Sequence, residues 1–551
     1  MCGVTKHHGK TFWCMRCLTH HDSDLRLKLH LKTCSSHNLQ TINMPVKGEH
    51  FLEFNKYSNK FPTNFVIYSD FESILVNAKR KHIDNNDRKT EKINKHLVCG
   101  FSLKLVCTNS KYSLPLITYR YDESCITDST EKFVIDVFFD KLEEIKKHII
   151  NIIDKRKNKT KLTKEEYKDY LEQEMCHVCE KDLGEIPFKV PFAKDGLYVG
   201  AICKFCVMSD PFEMTKSNKT NFKTLTNCYS CKRKFTLEPD KVIECCDITN
   251  KFRGAAHNKC KLKLRLHDNI KIPVILHNSK NYDTHLIISG YERSKSKITC
   301  IPNTSEKYVS FTVDNFKFID SYQFLQSSMG NLVSNLNKED FILLTEEFGK
   351  NANLMSRKGK YPYTYMSNWS KFKETKLPSI NDFYDTLKEE KCKKEDYKHA
   401  QNVWNKLECK TMGDYHDIYV KSDVLLLADV FENFRKIAMR YYDLDPCHYY
   451  TLPGFSWDSM LKFNKVKLEL LLDVDMYKFY EDSIRGGISM IGKRHACAYN
   501  KYVEGFVEDD GKKHIFISYD DANNLYGYAM IKKLPCSNFT WMSQKEIDNF
   551  D

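Results

Sequence analysis

The chain has 551 residues, with 86 Lys+Arg against 73 Asp+Glu and a formal net charge of +13. That length allows several domains and more than one core, and the positive balance fits a nucleic-acid partner. No apolar run approaches the length of a bilayer span and "MCGVTKHHGK" has no hydrophobic signal core, which excludes a membrane partner and leads us to expect an intracellular protein, nuclear or cytoplasmic. Without a secretory signal, the 22 cysteines point to metal binding in a reducing compartment rather than to a disulfide framework.

In chain order, the first element is a metal-binding spacing. Cys14, Cys17, His30 and Cys34 form CxxC, twelve residues, then HxxxC, with "DLRLKLHLKTC" supplying a helix for the last pair. This is close to zinc-finger spacing, with Cys in place of the final His. "NFVIYSDFESIL" then reads as a buried strand over Phe65 to Tyr68, whose end carries Asp70 and Glu72. Residues two apart on a strand point to the same face, so both carboxylates can reach one metal pair. From near Asp140 a charged stretch free of Gly and Pro favours helix and is expected to open an insertion.

Two more cysteine groups follow. Cys176, Cys179, Cys203 and Cys206 form CxxC, twenty-three residues, then CxxC, which suits a tetrahedral thiolate site. Cys228 and Cys231 with His257 and Cys260 make CxxC and a distant HxxC, and Cys245 or Cys246 competes as a ligand. Unmetallated buried cysteine is common for isolated Cys and uncommon for paired CxxC units. Between Lys241 and Lys271 there are eight Lys/Arg and three Asp/Glu. In "KLKLRL", alternation puts Lys261, Lys263 and Arg265 on one strand face, either a phosphate-tracking stripe or a solvated surface.

"IKIPVILHN" is a second apolar run that breaks into "NSKNYD", placing Asn278 and Asp283 just beyond a strand end. In "YHDIYVKSDVLLLADVFENFR" the apolar positions follow a helical period, with Tyr419 and Asp423 four apart on one face. Gly486-Gly487 suits a hinge or a close approach to a DNA backbone. "HIFISYDD" reads as a buried strand.

The four carboxylates Asp70, Glu72, Asp283 and Asp423 form the set that two-metal phosphodiester cleavage needs. Oxygen ligands neutralise and orient two divalent cations, Mg2+ or Mn2+. A tyrosine hydroxyl at Tyr419 beside a metal-bound carboxylate can orient the attacking water. Each piece alone has a bland reading, a solvated strand end or a surface pair on a helix. Their joint occurrence in this order is harder to dismiss.

These residues resemble the Exo I, Exo II and Exo III motifs of the DEDDy proofreading 3′-to-5′ exonuclease of family B DNA polymerases. "SIRGGIS" resembles the linker between exonuclease and polymerase domains, and "YDDANNLYGYAM" resembles polymerase motif A. "RGAAHNKC", "IPVILHNSKNYDTHLI", "KYPYTYM" and "GDYHDIYVKSDVLLLADVFENFR" are similar to protein-primed family B polymerases of Polinton/Maverick-type mobile elements and related viruses. The resemblance implies an α/β fold: an RNase H-like exonuclease domain with inserted zinc-binding modules, followed by the start of an α+β polymerase palm. The expected divisions are a finger over 1–45, an exonuclease domain over 60–440 interrupted by a zinc-binding insertion at 141–266, and a linker with part of the palm over 441–551.

Several roles follow from the resemblance alone. Asp521 matches the metal-binding Asp of motif A, and Tyr526 the aromatic gate against ribonucleotides. Asn278 and the Gly486-Gly487 pair are expected to contact nucleic acid. The segment around Cys228 resembles an HNH-like zinc element, but Glu244, Cys245, Cys246 and Asp247 stand where relatives carry histidines, so a structural or DNA-contacting role is expected. Structural Zn2+, DNA with single-stranded 3′ ends or as primer-template, deoxynucleoside triphosphates and a terminal protein primer are the implied cofactor and partners. Thirty residues follow Asp521 and contain neither a second acidic turn nor a triphosphate-binding helix, so the chain is expected to be a fragment competent at most for the exonuclease. A freestanding DEDDy exonuclease and a non-enzymatic zinc-dependent nucleic-acid-binding remnant are the two other readings.

Overall fold

The structure, a computed structural model, describes residues 12–17, 19–37, 44–77, 94–121, 130–156, 172, 189–194, 197–203, 225–228, 233–235, 241–245, 252–257, 270–291, 298–303, 307–386, 389–484, 486 and 490–550. They fall into two compact units, one over Phe54–Asn464 and one joining Met1–Glu53 to Lys465–Asp551. The fold is mixed α/β. Among the described residues no helix is long and apolar enough to cross a membrane.

The larger unit is built on a seven-stranded mixed sheet. Its strands are β1 (Phe65–Asn77), β2 (Asn94–Cys107), β3 (Ile117–Arg120), β4 (Ile272–Leu276), β5 (Ile298–Pro302), β6 (Tyr308–Val313) and β7 (Phe316–Asp320), in the spatial order β5-β6-β7-β4-β1-β2-β3. β4 runs parallel to both β1 and β7, and the other pairs are antiparallel. The pleat explains why the sheet has helices on both faces. Phe65, Ile67 and Phe71 alternate onto one face and join a core with Phe101, Leu103 and Leu105 of β2 and the helix α1 (Thr130–Arg156). Val66, Tyr68, Asp70 and Glu72 take the other face, where the Tyr68 hydroxyl donates to Glu432 at 2.6 Å on the 31-residue helix that follows.

That helix, α3 (Met412–Tyr442), comes after the short α2 (Asp283–Gly290). It starts at a capping box in which Thr411 accepts the Asp414 N–H and Asp414 accepts that of Thr411. Asp443, left-handed at φ 51°, ends it. Its far end is tied to the start of β1 by a buried ion pair: Arg435 donates to both oxygens of Asp445 at 3.1 and 2.7 Å, and to the Thr63 carbonyl at 2.9 Å. The Thr63 N–H donates back to Asp445 at 2.7 Å.

Three expectations change. The strand does not stop at Tyr68 but runs to Asn77, because β2 pairs with it over its whole length; Asp70 and Glu72 are therefore inside a ladder. Residues 141–156, expected in the insertion, continue α1, and Leu142, Ile145, Ile149, Ile152 and Ile153 are buried in the main core. Their apolar stripe at helical spacing outweighs the surrounding charge. The strand expected over "HIFISYDD" is not formed: Ile515 makes an isolated bridge to Tyr499, and Phe516, Ile517 and Tyr519 are exposed. A buried strand needs a neighbour for its backbone and a layer for its side chains, and no strand of the described residues pairs with it.

The smaller unit contains the finger segment, where Phe12–Trp13 pairs with His20–His21 ahead of the helix Asp24–Cys34, capped by Ser23. Phe51–Leu52 pairs with Leu468–Glu469.

The Arg435–Asp445 pair yields a stability prediction. Burial alone would raise the Asp445 pKa, but the Arg435 guanidinium holds it well below the ordinary carboxylate range. Arg435→Met is expected to destabilise the unit by about 3–5 kcal/mol, since it leaves a buried carboxylate unpaired, as read by urea unfolding. Because the folded pKa is depressed, the pair's contribution is complete above about pH 4 and fades as pH falls further. Asp445→Asn is expected to flatten that acid limb.

Candidate metal centre

The pleat of β1 and the period of α3 meet at one place. Asp70 and Glu72, two apart on the strand, face Asp423 on the helix, and one carboxylate oxygen from each of the three lies within 4.8 Å of the others. Glu72 and Asp423 are buried, at 5% and 4% exposure. Asp283, the first residue of α2, is buried but stands outside this group of three. Oδ1 of Asp283 and Oδ1 of Asp423 are buried with no hydrogen-bond partner. Buried acceptors are normally satisfied, so oxygens left bare beside a carboxylate cluster fit the ligand shell of a hard divalent cation.

The electrostatics agree with the geometry. Burial, and then the charge of Asp423, pushes the Asp70 pKa up to about 7, against the pull of Lys358. Burial and the neighbouring carboxylates Asp70 and Asp423 raise Glu72 well above its ordinary value. Burial, with Asp70 and Asp320, does the same to Asp283. A cluster that resists ionising is one that a cation relieves.

One cation is already present. Lys358 Nζ donates to Asp423 Oδ2 at 2.8 Å and lies 5.8 Å from the centre of the Tyr419 ring. Burial works against its charge, but Asp423, Tyr363 and Asp70 hold the ammonium above the usual lysine range. Tyr419 is 4% exposed and shares a hydroxyl contact of 3.0 Å with Tyr363, whose hydroxyl also donates to Glu72 Oε1 at 3.3 Å. Tyr361 stacks on Tyr419 at 5.0 Å between ring centres. Gly359 lets this segment lie against Tyr419, since a Cβ there would sit 3.2 Å from the ring. Lys358 and Tyr363 have no motif of their own; the string "KYPYTYM" marked the region but gave neither a role.

The remaining expected residues are placed as follows. Asn278 is exposed and left-handed at φ 59°, and its side-chain oxygen accepts from Asn281 at 2.8 Å. The sulfurs of Cys14, Cys17 and Cys34 and a His30 ring nitrogen lie within 4.8 Å of one another, with Cys17 Sγ 3.2 Å from His30 Nε2. Hydrogen bonding with Thr19 holds the Cys17 thiol down at about 6. Three sulfurs and an imidazole are a donor set suited to zinc. The His257 N–H donates to Cys228 Sγ at 3.3 Å; their expected partners Cys231 and Cys260 lie outside the described residues, as do Cys176, Cys179, Cys206, Cys246, Lys261, Lys263, Arg265 and Gly487. Cys203 ends the hairpin strand Leu197–Cys203, and Cys245 the strand Lys241–Cys245. Gly486 is exposed with open space around it. Asp521 is exposed, and Tyr526, 89% exposed, lies on the helix Leu525–Met530.

The family model for DNA polymerase type B, organellar and viral, matches residues 264–551. No curated protein and no solved structure matches the chain. The matched span takes in Asp283, Lys358, Tyr363, Tyr419 and Asp423 as well as Asp521 and Tyr526. DNA, deoxynucleoside triphosphates and divalent metal ions are what such polymerases work with. Extending over more than half of the sequence, the match makes this chain a member of the organellar and viral type B DNA polymerases.

Proposed function

We propose that the larger unit is a 3′-to-5′ exonuclease of the DEDDy type that proofreads for a protein-primed polymerase, on an RNase H-like sheet. The observation that carries this reading is the group Asp70, Glu72 and Asp423 within 4.8 Å, with bare buried oxygens on Asp423 and Asp283. When bound there, Mg2+ or Mn2+ would supply an activated water and neutralise the leaving 3′ oxygen. Asp70 and Glu72 would hold the cations from the strand side, Asp423 from the helix, and Asp283 from the start of α2. Tyr419, its hydroxyl oriented by Tyr363, aligns the water. Lys358 steadies Asp423 and brings positive charge to the scissile phosphate. Asn278 contacts the strand. Asp521 and Tyr526 belong to the polymerase palm, and the basic stripe of Lys261, Lys263 and Arg265 tracks phosphates.

The purified chain is expected to degrade single-stranded DNA from the 3′ end with Mg2+ or Mn2+. Asp70→Ala or Asp423→Ala abolishes this, Tyr419→Phe slows it, and Lys358→Ala lowers the rate by about 10²-fold. Digestion that survives both Ala changes places the chemistry elsewhere.

Cys14, Cys17, His30 and Cys34 are proposed to hold one structural zinc, with further ions at the two later cysteine groups. Replacing Cys14 and Cys17 together by Ser is expected to remove about one zinc per chain and to leave digestion largely intact. Reduced, freshly purified protein without zinc by metal analysis refutes this.

Asp521 is proposed as a metal ligand of the palm, so any primer extension measured on an Asp70→Ala background is expected to disappear on adding Asp521→Ala. Extension that survives Asp521→Ala overturns this assignment.

A further inference from the structure

Opposite Glu72 the ladder between β1 and β2 slips by one residue: Glu72 faces Gly100, Ser73 faces Val98, and Cys99 is left over as the bulged residue. A bulge bends its strand and re-aims nearby side chains. This one sits across from a carboxylate of the metal cluster. It is also closed by side chains that the cleavage chemistry does not use.

Cys99, 1% exposed, donates its S–H to the Glu72 carbonyl at 3.2 Å, and its sulfur lies 3.5 Å from Nε2 of His416 on α3. The Cys99 carbonyl accepts the Tyr121 N–H at 2.8 Å. His416 is fully buried, and its Nδ1 meets Asp417 Oδ1 at 3.1 Å. Arg120 on β3 donates to the same oxygen at 3.0 Å. Burial lowers the His416 pKa, so the imidazole is neutral, and with Nδ1–H given to Asp417 its Nε2 is an acceptor facing the thiol. The thiol is thus placed as a donor shared between the Glu72 carbonyl and the imidazole. Gly100 makes the approach possible: a Cβ there would lie 2.6 Å from the Tyr119 carbonyl and 3.3 Å from His416 Cε1.

We propose that Cys99 and His416, braced by Asp417 and Arg120, are positioning residues that lock the bulge and thereby aim the Glu72 carboxylate at the metal cluster. The proposal rests on the exonuclease reading for its consequence in catalysis, but its direct effect is on metal affinity. Outer-shell groups that orient a ligand are typically worth about 10- to 100-fold in affinity or activity. The bond here goes to the main chain of the ligand residue rather than to its carboxylate. The network therefore acts on where Glu72 points, leaving its charge alone.

The test is Mn2+ binding by the full chain, followed by electron paramagnetic resonance of the free ion, with thermal melting in the absence of metal as the control for folding. Asp70→Ala identifies the binding that belongs to the cluster. Cys99→Val, which removes the donor at similar volume, is expected to weaken that binding about tenfold with an unchanged melting temperature, while Cys99→Ser, which keeps a donor, stays close to the unmodified chain. Asp417→Asn, at a half-exposed position, is expected to weaken it in the same direction and serves if Cys99→Val does not fold. Wild-type affinity in folded Cys99→Val or in Asp417→Asn overturns the proposal, as does an equal loss in Cys99→Ser. An unmodified chain that binds Mn2+ through Asp70 but digests no single-stranded DNA sinks the exonuclease reading instead, with the positioning role still read from binding.

Discussion

Everything at the centre of the larger unit is arranged around the repulsion of three carboxylates held within 4.8 Å. Two unit charges about 5 Å apart repel by roughly 3 kcal/mol at an effective dielectric of about 20. A fold does not gather such groups for stability; it must overdetermine them from elsewhere. Here the overdetermination comes from two rigid elements, a long strand paired along its whole length and a 31-residue helix packed across it. The helix is fixed at one end by its capping box and near the other by the Arg435–Asp445 pair.

Lys358 answers part of the repulsion. Its ammonium pairs with Asp423, leaving Asp70 and Glu72 with raised pKa values and Asp423 and Asp283 with bare oxygens. The remaining deficit of positive charge is what a divalent cation supplies. The tyrosines Tyr361, Tyr363 and Tyr419 wall this corner with their rings, Tyr361 stacked on Tyr419 and the hydroxyls of Tyr363 and Tyr419 engaged with one another and, for Tyr363, with Glu72. Aromatic walls narrow the access of water and lower the local dielectric, which strengthens every charge interaction inside.

The smaller unit has a different character. Its 465–551 segment exposes Phe516, Ile517, Tyr519, Leu525 and Tyr526, the residues that "HIFISYDD" and the motif A resemblance had marked as strand and site. Apolar alternation specifies a strand only when partners exist on its edges and faces. Asp521 is legible as a motif and is not assembled into a metal group among the described residues. By contrast Asp70, Glu72 and Asp423 were legible as motifs and do meet.

What the sequence by itself determined was local. The period of two put Asp70 and Glu72 on one strand face, the period of 3.6 put Tyr419 and Asp423 on one helix face, and the spacing of Cys14, Cys17, His30 and Cys34 joined four ligands across one short segment. Each of these relations is set within a few residues or by a cysteine spacing, so pattern alone carries it. Only the tertiary structure decided that the strand passes through Glu72, that α1 takes residues 141–156 into the core, and that Lys358 and Tyr363 enter the cluster. The contacts responsible join residues 65 apart in sequence for Lys358 and Asp423, 291 for Tyr363 and Glu72, and 317 for Cys99 and His416. No periodicity reaches over such distances; they are set by which faces pack, and packing is a property of the whole sheet and its helices.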